Sequence, residues 1–190
     1  DVARRNDTKN MKILVLGAAA GGAPAAGADR VDAAAREQGL RVISIADERW
    51  LHCDIKSVSL LGNVLAKQAA VSAGVDEVIQ FRNGNLTEGA SCNIWVIKQG
   101  KLVAPLKDNL VLEGIRYGLL EELCKEAGIP FELRVVKQEE VQHADEILMS
   151  SATREVLAIV QLDGKAVGAG KPGPVFQKLR AAYDARIAAL

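Results

Sequence analysis

Lys56 stands where a nucleophile could act. It ends a strand-like run over residues 51–56 and precedes an apolar stretch over 58–70, whose spacing predicts a helix with Ser57 as its N-cap. A lysine that loses its charge in a pocket can attack a carbonyl carbon, which is the chemistry of a Schiff base with an aldehyde cofactor. Taken alone, this segment favours a solvated lysine at a strand-to-helix junction, so the catalytic interpretation depends on the rest of the chain.

The composition is that of an ordinary globular protein. Hydrophobic residues make up 49% of the 190 residues and charged residues 25%, which suits one domain, or one domain with a short appendage, around a real core. The 24 basic and 24 acidic side chains cancel, so no net field favours nucleic acid or an anionic membrane surface. A small molecule is therefore the expected partner.

Cysteine usage and hydropathy indicate a reducing compartment. Cys53, Cys92 and Cys124 are far apart and form no CxxC pair, which argues against a zinc site and a disulfide framework. No apolar run reaches the length of a membrane span, and the N-terminus lacks the layout of a signal peptide. The expected location is the cytoplasm.

The first 37 residues differ in composition from the rest of the chain. Residues 11–16 have the character of a buried strand, and the Ala-, Gly- and Pro-rich linker after them offers little to pack. A strand followed by glycines is typical of nucleotide-binding units, but Gly17, Gly21 and Gly22 do not follow the G-x-G-x-x-G spacing. A nucleotide-binding module stays open as an alternative.

From Leu40 onward, strands and helices mix without strict alternation. Apolar runs and turn residues predict strands at 40–45, 76–81, 85–88, 89–98, 101–104, 131–136, 146–151 and 155–162. Helical spacing predicts helices at 31–38, 58–70, 113–127, 138–144 and 175–190. This order predicts an α/β or α+β fold with a mixed sheet.

Five separated segments together resemble a known family. They are CDIKSVSLLGNVLAKQAA, TEGASCN, LEGIRYGLL, ADEILMSSAT and DGKAVGAGKPGPV. In this order and spacing they are similar to the fold-type IV pyridoxal-phosphate aminotransferases, above all to the D-amino-acid aminotransferases, over about residues 38–190. The resemblance implies the mixed-sheet large domain of that family, with pyridoxal 5'-phosphate as the cofactor.

The resemblance assigns roles to three residues. Lys56 corresponds to the lysine that bonds to the cofactor aldehyde, is displaced by the incoming amino acid and then moves a proton between the substrate Cα and the cofactor C4′. Glu88 corresponds to the acid that pairs with the pyridine nitrogen and keeps it protonated. Arg49 matches an arginine that lies near the cofactor.

The resemblance places the cofactor phosphate against two segments rich in backbone donors. Gly114, Ile115 and Arg116 open a predicted helix, where N–H groups and the dipole favour an anion, and Ser151 and Ala152 follow a predicted strand. Arg116 and Ala152 stand where many relatives carry threonines. Two side-chain hydroxyls are therefore absent here, while the backbone contacts are expected to remain.

The resemblance begins only near residue 38. Family members carry a smaller N-terminal domain that supplies a phosphate-binding arginine, an aromatic lid and the substrate-carboxylate trap, and residues 1–37 do not resemble it. We therefore expect an N-terminal segment of unclear origin over 1–37 and a cofactor-binding domain over 38–190. Turnover is expected to be weak or absent even where the cofactor binds.

The activity implied by the resemblance is amino transfer from a D-amino acid such as D-alanine to a 2-oxo acid such as 2-oxoglutarate, carried out by a homodimer. An aminodeoxychorismate lyase or a branched-chain aminotransferase shares the fold and the lysine. A non-catalytic remnant that binds the cofactor is a further alternative. The C-D-I-K-S context favours the D-amino-acid branch.

Overall fold

The computed structural model describes residues 33–189. The strands are β1 Leu40–Ala46, β2 Glu77–Arg82, β3 Asn85–Leu86, β4 Asn93–Lys98, β5 Lys101–Ala104, β6 Phe131–Leu133, β7 Glu146–Ser151, β8 Glu155–Leu162 and β9 Lys165–Ala166. The helices are α1 Ala33–Gln38, α2 Leu61–Ser72, α3 Tyr117–Glu126, α4 Gln138–Gln142 and α5 Pro174–Ala188.

The strands form one mixed sheet. They run in the order β3-β2-β1-β8-β7-β4-β5-β6, and β9 pairs with β8. β1 lies parallel to both β2 and β8, β5 lies parallel to β6, and the remaining pairs are antiparallel. The predicted α/β architecture with a mixed sheet is therefore confirmed.

Alternate residues of the central strands fill two hydrophobic layers. On β4, Ile94 and Val96 belong to one layer, and Trp95 and Ile97 belong to the other, because successive side chains point to opposite faces of a sheet. α3 and α5 cover the second layer with buried side chains that include Tyr117. Burial on both faces explains why the central strands are almost continuously apolar.

α2 packs against β1 and β2 through small side chains, on the face of the sheet that α3 and α5 also cover. Ala66 and Ala70 lie in a third apolar cluster with Val78 of β2 and Ala90. The Asn63 side-chain amide donates to the Ala90 carbonyl oxygen at 2.7 Å. The helix that follows Lys56 is therefore attached to the loop just after Glu88.

The segment that carries Lys56 departs from the prediction. Residues 51–56 form turns and bends instead of a strand. Leu51 and Val58 are 59% and 89% exposed, so neither side chain is packed against a core face in the described part of the chain. Apolar residues without a neighbouring strand or a core to bury them do not hold an extended conformation.

α2 begins later than predicted. Its first residue is Leu61, its N-cap is Leu60, and no side chain among residues 33–189 caps it. The Ser57 hydroxyl accepts the N–H of Ser59 at 3.2 Å, so it closes a local turn instead.

The remaining helix predictions are confirmed with small shifts. α3 begins at Tyr117, not at residue 113, and α1 ends before Gly39, whose φ of +75° suits a helix stop. The strand predicted at 11–16 lies outside the described residues. Within residues 33–189, none of the helices is both long and apolar enough to span a membrane.

Candidate functional site

Glu88 is a buried carboxylate held by three donors. Its Oε1 pairs with Arg49 Nη1. Its Oε2 accepts the backbone N–H of Leu112 at 3.1 Å and the Asn93 side-chain amide at 3.4 Å. Burial raises the pKa of Glu88 to about 7, although the charge of Arg49 and these hydrogen bonds oppose the rise. The carboxyl group is therefore fixed in direction and can exchange a proton near neutral pH.

The chain around Glu88 fixes its position. The Glu88 carbonyl oxygen accepts the N–H of Gln80 at 2.9 Å, and the Thr87 N–H donates back to the Gln80 carbonyl oxygen at 3.0 Å. Gly89 then donates to the Cys92 carbonyl oxygen at 2.8 Å, and a Cβ at Gly89 would collide with the Cys92 sulfur. The T-E-G triplet therefore joins β3 to β4 through a turn that only glycine fits.

Arg49 lies fully inside the protein. Asp47 accepts from its Nε at 2.9 Å and from its Nη2 at 2.8 Å, and the Leu110 carbonyl oxygen accepts from Nη2 at 3.0 Å. Burial alone would lower the pKa of Arg49, but the hydrogen bonds to Asp47 and the charges of Glu88 and Asp47 raise it. The guanidinium therefore stays charged, and its Nη1 faces Glu88.

Asn93 links Glu88 to the beginning of α3. Besides its contact with Glu88, its side-chain amide donates to the Leu112 carbonyl oxygen at 2.7 Å, and a Cβ at Gly114 would collide with its Oδ1. The N–H groups of Ile115 and Arg116 have no acceptor within residues 33–189. These two N–H groups lie at the positive end of the α3 dipole, where an anion is favoured.

Arg116 joins the start of α3 to the end of β7. Its Nε donates to the Ser151 carbonyl oxygen at 2.6 Å, and its Nη2 donates to the Ala152 carbonyl oxygen at 2.9 Å. Its guanidinium also lies 5.2 Å from the centre of the Tyr183 ring. Three residues predicted to surround a phosphate group, Arg116, Ser151 and Ala152, are therefore neighbours in the structure.

Lys56 is exposed in the loop between β1 and α2. Its Nζ has no hydrogen-bond or ion-pair partner among the described residues. The loop is fixed at its start, because Cys53 donates its N–H to the Asn109 carbonyl oxygen at 2.8 Å and Asn109 donates its amide to the Leu51 carbonyl oxygen at 2.7 Å. The segment 109–112 therefore touches both the Lys56 loop and the Glu88 carboxylate.

The packing of α2 brings its N-terminal end to Arg49. A Cβ at Gly62 would lie only 2.9 Å from Arg49 Cγ. Small size at Gly62 therefore lets the helix after Lys56 approach the arginine that holds Glu88. Within the described residues, Glu88 and Arg49 are in direct contact, whereas Lys56 reaches them only through this shared framework.

The resemblance assigned no role to several residues of the site. Asp47 holds Arg49, Thr87 holds Asp47, and Asn93 and the N–H of Leu112 hold Glu88. Asp47 stands two residues before Arg49, a spacing that puts both side chains on one side of an extended segment, and this acid–base pair is the signal that could have found it.

The donor set fits pyridoxal 5'-phosphate, the cofactor that the resemblance implies. A buried carboxylate suits the ring nitrogen, two N–H groups at a helix start suit the phosphate, and a lysine amine without a partner in the described residues suits the aldehyde. Among the described residues, no cluster of His, Cys, Asp and Glu could hold a metal ion.

Comparison with known proteins finds similar chains. Residues 1–162 match the family of class IV amino-transferases, a range that includes the first 37 residues. D-alanine aminotransferase from Staphylococcus haemolyticus is 40% identical over 148 residues, covering 78% of this chain and 52% of that protein. The enzyme of the same name from Bacillus licheniformis is 39% identical over 149 residues, covering 78% and 53%. The chain spans about half the length of the curated relatives it matches.

Solved structures of branched-chain aminotransferases have a similar fold. The branched-chain amino acid aminotransferase of Escherichia coli superposes with a TM-score of 0.75 at 29% identity, covering 82% of this chain and 53% of that chain. The branched-chain enzyme of Thermobaculum terrenum, in its PLP-form, gives a TM-score of 0.71 at 25% identity, covering 77% and 50%.

Proposed function

Because the chain belongs to the class IV amino-transferase family, whose cofactor is pyridoxal 5'-phosphate, we propose that it binds this cofactor beside Glu88 and transfers amino groups between D-amino acids and 2-oxo acids. The observation that carries the proposal is the buried Glu88 carboxylate, fixed by Arg49 and by the N–H of Leu112. A buried acid is costly unless it is paired, so three donors aimed at one carboxylate support a functional role.

Glu88 holds the ring-nitrogen end of the site in this proposal. Its carboxylate would accept a hydrogen bond from the ring nitrogen of the bound cofactor, and its negative charge would favour the protonated form of that nitrogen. The bound cofactor supplies an electron sink for the substrate α-carbon. Arg49 does not touch the reacting atoms in this scheme, but it fixes Glu88 and offsets its charge.

Lys56 carries the proton transfer. Its Nζ would hold the cofactor at the aldehyde, and the same amine, once free, would accept the proton from the substrate α-carbon. The loop position leaves the amine free of partners within the described residues, which suits a group that must exchange bonds twice per cycle.

The phosphate end is bound by the start of α3 and the turn after β7. The N–H groups of Ile115 and Arg116 would donate to the phosphate oxygens, and the Ser151 hydroxyl and the backbone at Ala152 would provide further contacts. The Arg116 side chain fixes the two segments to each other and brings a positive charge to the anion.

The substrate assignment follows the sequence relatives. D-alanine with 2-oxoglutarate, giving pyruvate and D-glutamate, is the proposed reaction, since the curated relatives are named D-alanine aminotransferases. A branched-chain L-amino acid is the second candidate, because the superposed structures are branched-chain enzymes. We further propose a cytoplasmic homodimer, with residues 38–190 as the cofactor-binding domain and residues 1–37 as a separate segment.

The test begins with the 190-residue chain and pyridoxal 5'-phosphate. We expect an absorption band of protein-bound cofactor that is lost in Lys56→Ala and kept in Lys178→Ala, an exposed lysine of α5 that serves as the matched control. D-alanine should then convert the bound cofactor to its amine form, and L-leucine should not. Absence of the band in the parent chain overturns the proposal, and conversion by L-leucine alone assigns the branched-chain activity.

A further inference from the structure

A second buried acid, Asp47, binds the Arg49 guanidinium in addition to Glu88. Asp47 follows β1 directly, and its side chain is 0% exposed, compared with 2% for Arg49. Its Oδ1 accepts from Arg49 Nε at 2.9 Å and from the Arg49 backbone N–H at 3.0 Å, and its Oδ2 accepts from Arg49 Nη2 at 2.8 Å. This two-pronged contact fixes the plane of the guanidinium.

Asp47 is itself fixed by its neighbours. Its backbone N–H donates to the Phe81 carbonyl oxygen at 2.9 Å, and the Thr87 hydroxyl donates to its Oδ2 at 2.9 Å. Arg82 lies 3.1 Å from its Oδ1 and also donates to the carbonyl oxygens of Asp47 and Arg49, at 3.2 and 2.5 Å. Every oxygen of the Asp47 carboxylate is therefore committed to a donor.

The four charged groups form a neutral set when Glu88 is ionised. Arg49 and Arg82 then carry two positive charges, and Asp47 and Glu88 carry two negative charges. Asp47 occupies the Nε–Nη2 edge of the Arg49 guanidinium, which leaves Nη1 directed at Glu88. A buried guanidinium that lost this anchor would be free to turn toward other acceptors or toward water.

We propose that Asp47 is a positioning residue for the cofactor site: it holds the Arg49 guanidinium against Glu88 and thereby fixes the carboxylate that receives the ring nitrogen. The inference rests on the proposed function. Asp47 makes no hydrogen bond or ion pair with Glu88 within residues 33–189, so its hold on the position of that carboxylate passes through Arg49, while its negative charge also acts on Glu88 directly and raises its pKa.

A double-mutant cycle on cofactor affinity tests this role. The dissociation constant of pyridoxal 5'-phosphate is measured by absorbance titration for the parent chain, Asp47→Asn, Glu88→Gln and the double variant. We expect Asp47→Asn to weaken binding about tenfold in the parent chain, because coupled buried contacts carry energies of that order. In the Glu88→Gln background the same change should alter binding by less than about twofold.

A milder substitution keeps the proposal testable if Asp47→Asn prevents folding. Thr87→Val removes the hydroxyl that donates to Asp47 and keeps the carboxylate, and it should weaken binding in the same direction by about threefold. Ser44→Ala is the matched control, because it removes a hydroxyl that donates to the Asp163 carboxylate at 2.6 Å, outside the site. Its cofactor affinity should equal that of the parent chain.

The possible results distinguish failure of the Asp47 positioning role from failure of the proposed function. If the parent chain binds the cofactor and the effect of Asp47→Asn is equal in both Glu88 backgrounds, the positioning role is wrong while the proposed function stands. Parent-like affinity in both folded variants also rules out the positioning role. If the parent chain does not bind the cofactor, the proposed function fails, and the positioning role fails with it.

Discussion

Replacing Glu88 with glutamine should remove a pH-dependent part of the protein's stability. The carboxyl group is buried with a side chain only 8% exposed, and burial raises its pKa to about 7 against an ordinary value of 4.5. Glutamine keeps the shape of the protonated acid and does not titrate. The comparison therefore isolates the proton that Glu88 binds.

The magnitude and sign follow from the pKa. Between about pH 4.5 and pH 7 the folded chain binds the Glu88 proton more tightly than the unfolded chain does. The stabilisation is fully present below pH 4.5 and is lost as the pH rises through 7. The difference between the two pKa values corresponds to about 3 kcal/mol in the free energy of unfolding.

Urea unfolding of the chain without added cofactor, at several pH values between about 4 and 8.5, measures this effect. The free energy of unfolding of the parent chain, minus that of Glu88→Gln, should fall by about 3 kcal/mol across the window. Groups common to both chains, such as His52 and His143, cancel in the difference. A flat difference, or one that rises with pH, would refute the reasoning, because it would mean that Arg49 outweighs burial and keeps Glu88 ionised.

The other predictions concern the core, one helix cap and the phosphate end. Leu148→Ala empties a fully buried position on β7 and should lower the free energy of unfolding by about 2–5 kcal/mol with an unchanged urea m-value. Glu146→Gln weakens the carboxylate that accepts two N–H groups at the start of α5, each at 2.9 Å, and should cost about 1 kcal/mol in urea unfolding while cofactor affinity stays the same. Arg116→Ala removes the two donors to the turn after β7 and should weaken cofactor binding about tenfold in an absorbance titration, whereas Arg186→Ala, which breaks exposed pairs on α5, should leave it unchanged.

Much of the fold could be predicted because the apolar patterns match what the sheet buries. The strands predicted at 146–151 and 155–162 coincide with β7 and β8, whose side chains are enclosed on both faces. The prediction is wrong at residues 51–56, where the apolar residues resemble a strand but the chain turns and leaves Leu51 exposed. The local pattern of apolar residues cannot distinguish a buried strand from an exposed turn, since burial depends on neighbours far away in the chain.

The candidate site could also be predicted only in part from the sequence. Glu88 and Arg49 can be recognised one by one, but their contact spans 39 residues and follows from the parallel pairing of β1 with β2, with Ala46 opposite Phe81. The spacing of Asp47 and Arg49 is compatible with an ion pair, but the sequence does not show that this pair lies beside Glu88. That contact follows only from the fold.

The central claim is that Lys56 bonds to pyridoxal 5'-phosphate, and borohydride trapping tests it most directly. The 190-residue chain is incubated with the cofactor, reduced with borohydride, digested and mapped by mass spectrometry. We predict that the reduced cofactor is attached to the peptide that contains Lys56, and that Lys56→Ala yields no labelled peptide while Lys178→Ala is labelled like the parent chain. Attachment to another lysine, or undiminished labelling of Lys56→Ala, would contradict the claim.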